Sequence, residues 1–156
     1  MNIEKVMHQP VVTCSPEDRL DTAAGLMWER DCGALPVVEA NGRVIAMITD
    51  RDICMAAYTK DLPLKAIPVS SVMSKQLFTC HPEDAVSSAE KRMGEKQVRR
   101  LPVVDAQGRL VGILTLNDLA REAARFSGAR VQDANLALIR TLTEVGTPHG
   151  GGTHFA

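Results

Sequence analysis

The chain has 156 residues, 45% apolar and 24% charged, the balance of a soluble globular protein about one domain in size. A net charge of −1 argues against a long polyanion as partner, because neutralised phosphates supply most non-specific nucleic-acid affinity. Three Phe, one Trp and one Tyr leave few platforms for base stacking.

From the N-terminus, no apolar stretch follows Glu4 and Lys5, so no secretory signal is expected and the protein reads as cytoplasmic. No apolar run approaches the roughly 20 residues that cross a bilayer, and no membrane role is expected. The dominant feature comes next. Laid over itself so that Val6 meets Val72, the sequence superposes Val6–Ile53 on Val72–Leu119 without a gap. Val6-Met7 matches Val72-Met73, Thr13-Cys14-x-Pro16-Glu17-Asp18 matches Thr79-Cys80-x-Pro82-Glu83-Asp84, and Leu35-Pro36-Val37-Val38 matches Leu101-Pro102-Val103-Val104. Ala40-x-Gly42-Arg43 matches Ala106-x-Gly108-Arg109, and Thr49-x-x-Asp52 matches Thr115-x-x-Asp118.

Each copy predicts the same elements: a leading strand, a helix, two strands and a second helix. Ser15-Pro16-Glu17-Asp18 signals a turn and helix start, and Leu20, Ala23, Ala24 and Met27 then follow at amphipathic spacing. Val86, Ala89 and Met93 repeat that stripe, narrowed by Glu90. The runs Ala34–Val38 and Val44–Ile48 read as strands joined at Asn41-Gly42, a type I′ hairpin signal; Gln107-Gly108 is the weaker counterpart. The second helix turns Ile53, Ala56 and Ala57 inward in copy one, and Leu116, Leu119, Ala120, Ala123 and Ala124 in copy two. A unit of about 50 residues buries too little surface to be comfortably stable alone. The expected fold is therefore α+β, two β-α-β-β-α repeats packed sheet to sheet with pseudo-twofold symmetry. Residues 1–58 form repeat one, 59–70 a linker, 71–126 repeat two, 127–145 a further helix and 146–156 a flexible tail. Within that helical stretch, Val131, Leu138, Ile139 and Leu142 fall partly on one side, to pack on the module or on a second copy.

Cys14, Cys32, Cys54 and Cys80 form no C-x-x-C motif and read as small buried apolar residues of a reducing compartment, a redox-sensitive thiol being the alternative. His149 and His154, separated by glycines, look like a flexible end rather than a metal site, so no metal is expected. No glycine-rich phosphate loop or nucleophile–base motif is present, and Glu17-Asp18 and Glu83-Asp84 sit where helix capping explains them, so no enzyme activity is expected.

The paired Val-Met, Leu-Pro-Val-Val, Gly-Arg and Thr-x-x-Asp motifs resemble the cystathionine beta-synthase (CBS) domain, and their tandem order resembles a stand-alone CBS pair, or Bateman module. The resemblance covers roughly residues 1–126. It implies a sensor that binds an adenosine-containing ligand in the clefts between the copies, associates as a homodimer and regulates a partner protein. AMP, ADP or ATP is the expected ligand, with S-adenosylmethionine or NAD possible; no cofactor is required. An assembly protein with vestigial clefts is the alternative.

Thr49 and Asp52, and Thr115 and Asp118, read from the residues alone as helix caps; the resemblance makes the Asp of each pair a ribose ligand and has Thr49 and Thr115 contribute to the ribose and nucleoside pocket. By the same family geometry Asp52 shares a cleft with Arg99 and Arg100, a guanidinium pair suited to phosphate, with Arg51 nearby and Met47, Phe78 and Val98 walling the adenine. Asp118 would face Gly33 and Ala34, where no cation stands, with Val12 and Ile113 enclosing an adenine. The expectation is two unequal sites, the Asp118 one weak, empty or given to adenosine or S-adenosylmethionine.

Overall fold

A computed structural model describes residues 1–125 and 129–146. Its elements are α1 (Leu20–Glu29), β1 (Ala34–Val38), β2 (Val44–Thr49), α2 (Asp50–Lys60), α3 (Val86–Lys96), β3 (Arg100–Val104), β4 (Leu110–Thr115), α4 (Leu116–Ala123) and α5 (Ala129–Gly146). Short 3-10 turns at Ile3–Lys5 and Val69–Ser71 precede the two repeats. The expected tail, His149 and His154 lie outside the described residues.

β1 and β2 pair antiparallel from Ala34↔Thr49 to Val38↔Val44, and β3 pairs with β4. Both hairpins form, but not with the I′ turn that Asn41-Gly42 suggests. Only Gly42 (φ +85°) and Gly108 (φ +77°) have positive φ there. Gly42 N–H donates to the Glu39 carbonyl (2.8 Å) and Glu39 N–H to that of Arg43 (2.9 Å), a three-residue loop ending on a left-handed glycine. The Asp105–Arg109 loop repeats it, and there the Arg109 backbone N–H, with its side chain, holds the Asp105 carboxyl below the usual range. The two loops bond reciprocally: Val44 N–H donates to the Gly108 carbonyl (3.1 Å) and Leu110 N–H to that of Gly42 (3.0 Å).

The leading strand of each repeat survives only as single bridges, because the segment changes partner midway. His8 bridges Ile113 and Cys14 bridges Val37; Ser74 N–H donates to the Met47 carbonyl and Cys80 bridges Val103.

The chain folds into two compact units that do not follow its halves. One comprises Gln9–His81 and Pro102–Gly112; the other comprises Met1–His8, Pro82–Leu101 and the chain from Ile113 onward. Exchanged leading segments explain the division. In the second unit Asn2 bridges Ala85, Ile3 N–H donates to the Asp84 carbonyl and Val86 N–H to that of Met1. In the first, Pro68 bridges Arg19, Val69 N–H donates to the Asp18 carbonyl and Leu20 N–H to that of Ile67. Each repeat thus starts its first helix on the segment that leads into the other repeat.

The first unit's core gathers Leu20, Ala23 and Met27 of α1, Leu35 and Val37 of β1, Ala46 and Ile48 of β2, Ile53 and Ala56 of α2, with Cys14, Ile67 and Val69. Ala57, expected inward, is exposed, as is Ala124. Cys14 and Cys80 are buried, but Cys32 is only half-buried and Cys54 is exposed. The second unit buries Ile3, Ala89, Met93, Leu101, Leu114, Leu116, Leu119 and Ala123. α5 packs on α3 and α4. Of the expected apolar residues Leu138 is half-buried while Ile139 and Leu142 are exposed, and Thr141 is buried instead, its hydroxyl donating to the Ala137 carbonyl. The close approach is at Gly94, where a Cβ would stand 3.3 Å from that of Glu144 and nearer still to its carboxylate. Gln97 Nε2 donates to the Glu144 carbonyl at 3.2 Å.

Candidate ligand-binding site

The two Thr-x-x-Asp endings take one geometry. Each Thr is the N-cap of the helix that follows a strand (Thr49 for α2, Thr115 for α4), and each Asp closes a reciprocal capping box. Asp52 Oδ2 accepts from Thr49 N–H and Oγ1, both at 2.9 Å; Asp118 Oδ2 accepts from Thr115 N–H at 2.8 Å and Oγ1 at 2.6 Å. The capping reading holds for both. It occupies only one carboxylate oxygen, leaving Oδ1 for something else.

Here the copies diverge. Asp52 is half-buried, whereas Asp118 is 5% exposed and its Oδ1 accepts from Arg121 Nη2, with His8 Nδ1 at 3.4 Å. Around this carboxylate lies a cavity of about 220 Å³ whose lining includes Lys5, His8, Arg121, Arg125 and Glu122. His8 gets there by pairing with Ile113 through two backbone bonds, His8 N–H to the Ile113 carbonyl (2.8 Å) and the reverse (3.1 Å). Arg121 and Arg125 follow Asp118 at one-turn steps along α4 and just past its end, which brings them to the same side. In the matching positions of the other copy the sequence has Ser71, Ser74, Met55 and Thr59. The Asp118 site is therefore basic and the residues matching its cations around Asp52 are neutral. Gly33 and Ala34, the positions expected to face Asp118, do lack a cation. Looking only at the residues before each Leu-Pro-Val-Val run misses cations that come from the leading segment and the last helix.

The remaining expected residues divide between the units. Met47, Thr49, Arg51, Asp52, Phe78 and Val12 lie in the first; Val98, Arg99, Arg100, Ile113, Thr115 and Asp118 lie in the second. Val12, Met47, Phe78, Val98 and Ile113 are half-buried, while Arg51 and Arg99 are exposed and Arg100 half-buried. The Arg99 carbonyl accepts from Leu116 N–H (3.1 Å), which fixes it beside the start of α4. Among the described residues no group of three or more His, Cys, Asp or Glu could hold a metal ion, and no helix is long and apolar enough to cross a membrane.

The CBS domain family matches residues 3–58 and 69–125, both copies of the duplicated hairpin-and-cap unit. The chain belongs to the CBS domain family. This CBS pair is 40% identical over 119 residues to the CBS domain-containing protein YhcV of Bacillus subtilis (strain 168), covering 76% of this chain and 83% of that one. It is 33% identical over 120 residues to a homoserine O-acetyltransferase of Methanococcoides burtonii, 77% of this chain but only 24% of that enzyme. Among solved structures it is similar to CBSX2 in complex with AMP, with a TM-score of 0.70 and 27% identity over 80% of this chain and 96% of that one.

Proposed function

We propose that this CBS pair is a regulatory module that binds a phosphorylated adenine nucleotide at Asp118 and passes the occupancy to a partner protein, with no catalysis of its own. The observation that carries it is a buried carboxylate, suited to a ribose diol, beside three cationic side chains (Lys5, Arg121 and Arg125) and the His8 ring, drawn from two segments. Guanidinium and ammonium groups supply charge-assisted donors to phosphate oxygens. They favour AMP, ADP or ATP over S-adenosylmethionine, whose sulfonium is itself positive. Thr115, bonded to the same carboxylate, and Ile113, two residues before it on β4, supply the nucleoside side of the site. The AMP bound by CBSX2 and the small share of the acetyltransferase that matches this chain both support a ligand-binding part rather than a reaction centre.

Calorimetric titration with AMP, ATP, adenosine and S-adenosylmethionine tests this. The phosphorylated ligands should bind most tightly, and Asp118→Ala should weaken AMP at least tenfold. AMP binding that survives Asp118→Ala unchanged overturns the assignment. The module is proposed to work as a homodimer through α1 and α2, where Trp28, Tyr58 and Met55 are exposed; a Trp28→Glu variant that sediments like the wild type would count against that surface.

A further inference from the structure

We infer that Arg121 is a latch on the nucleotide seat, one that makes the site reject neutral nucleosides. This rests on the proposed nucleotide binding at Asp118. A ribose diol needs both carboxylate oxygens, or at least the one that the capping box leaves over. That oxygen, Oδ1, is held by Arg121 and faced by His8, while Oδ2 is committed to Thr115. With Asp118 only 5% exposed, little room remains for a second set of donors while Arg121 stays.

The arginine side chain itself is 61% exposed, so it can swing away without unpacking the core. What it swings toward decides the cost. An adenine nucleotide brings a phosphate into the cavity lined by Lys5, His8 and Arg125, and the guanidinium exchanges a carboxylate for a phosphate, one charge-assisted partner for another. A neutral nucleoside takes the carboxylate and gives the guanidinium only water. The difference is one charge-assisted bond, about ten- to hundredfold in affinity. The duplication supplies a control: Met55, which cannot form an ion pair, stands in the position that matches Arg121 beside Asp52.

The test is calorimetry of AMP and adenosine on the wild type, on Arg121→Met, which copies the first repeat, and on Arg121→Gln. Adenosine should bind about tenfold or more tightly to both variants, while AMP affinity changes little, because the bond that the arginine exchanges is missing from both the free and the bound state. An arginine that only contacts phosphate would lower AMP and leave adenosine alone, so adenosine affinity that stays equal, stays undetectable or falls overturns the latch. A wild type that binds neither AMP nor adenosine overturns the nucleotide reading and the latch with it. A wild type that binds AMP while the variants leave adenosine unchanged overturns the latch only.

Discussion

Removing the carboxylate from each Thr-x-x-Asp cap separates what the cap contributes from what the basic pocket adds. In Asp52→Ala the loss is the carboxylate that accepts twice from Thr49, at 2.9 Å each. A missing cap costs about 1 kcal/mol. Asp118→Ala loses the same pair to Thr115 and also the acceptor for Arg121, a charge-assisted bond at a site 5% exposed. Such a bond is worth about 1.5–3 kcal/mol, discounted here because Arg121 is itself largely in water. The expected costs are about 1 kcal/mol for Asp52→Ala and about 2–3 kcal/mol for Asp118→Ala. For a chain of this length these translate into about 2–4 °C and about 4–12 °C in Tm. Thermal melts followed by circular dichroism at neutral pH, without ligand, read both. Raising the salt to about 1 M should shrink the excess of Asp118→Ala, since part of it is Coulombic and screened. Equal losses from the two substitutions would refute the claim that the Asp118 site holds an extra ionic partner.

Gly94→Ala should loosen α5 from α3, since its Cβ would meet Glu144; hydrogen exchange of α5 amides should quicken, and unchanged protection would mean that the Glu144 side chain simply swings aside. Burial, with Asp18 nearby, pushes the Cys14 thiol from 9.0 up to about 12. A thiol raised by folding contributes stability that is intact below pH 9 and lost as the pH climbs from there toward 12, so Cys14→Ala should flatten the alkaline limb of the stability curve. At pH 8 the exposed Cys54 should alkylate at once and the buried Cys14 and Cys80 only on unfolding, as mass spectrometry would register. AMP at about a hundred times its Kd should stabilise the fold by about 2.7 kcal/mol through mass action, and guanosine nucleotides by less; equal shifts would deny adenine selectivity.

The duplicated architecture was legible because strong local signals agree in two copies: the α1 stripe Leu20, Ala23 and Met27, the loops ending on Gly42 and Gly108, and the caps at Thr49 and Thr115 all appear where the residues place them. What sequence could not supply was long-range partnership. Nothing in Asn2 or Pro68 announces that each bridges the first helix of the opposite repeat. The turn type was misread because Asn41 tolerates but does not demand positive φ, and a three-residue loop needs it only at Gly42. On α5 the apolar positions Ile139 and Leu142 stay exposed, while Thr141 is buried and the close approach at Gly94 is made by Glu144. The capping role of Asp118 was legible in the sequence, but the basic residues around it were not, because Lys5 is remote in sequence and, like Arg121, looks like an ordinary surface residue. Comparing His8 with Ser74 and Arg121 with Met55 would have exposed the asymmetry.

The sole tryptophan, Trp28, is 89% exposed and the sole tyrosine, Tyr58, 82% exposed, both on the α1–α2 side of the molecule. Intrinsic emission from the isolated monomer should be red-shifted and should hardly change when that monomer is denatured. The same dye-free signal would shift blue as soon as another surface covers α1 and α2, which turns an unhelpful folding probe into a built-in association sensor.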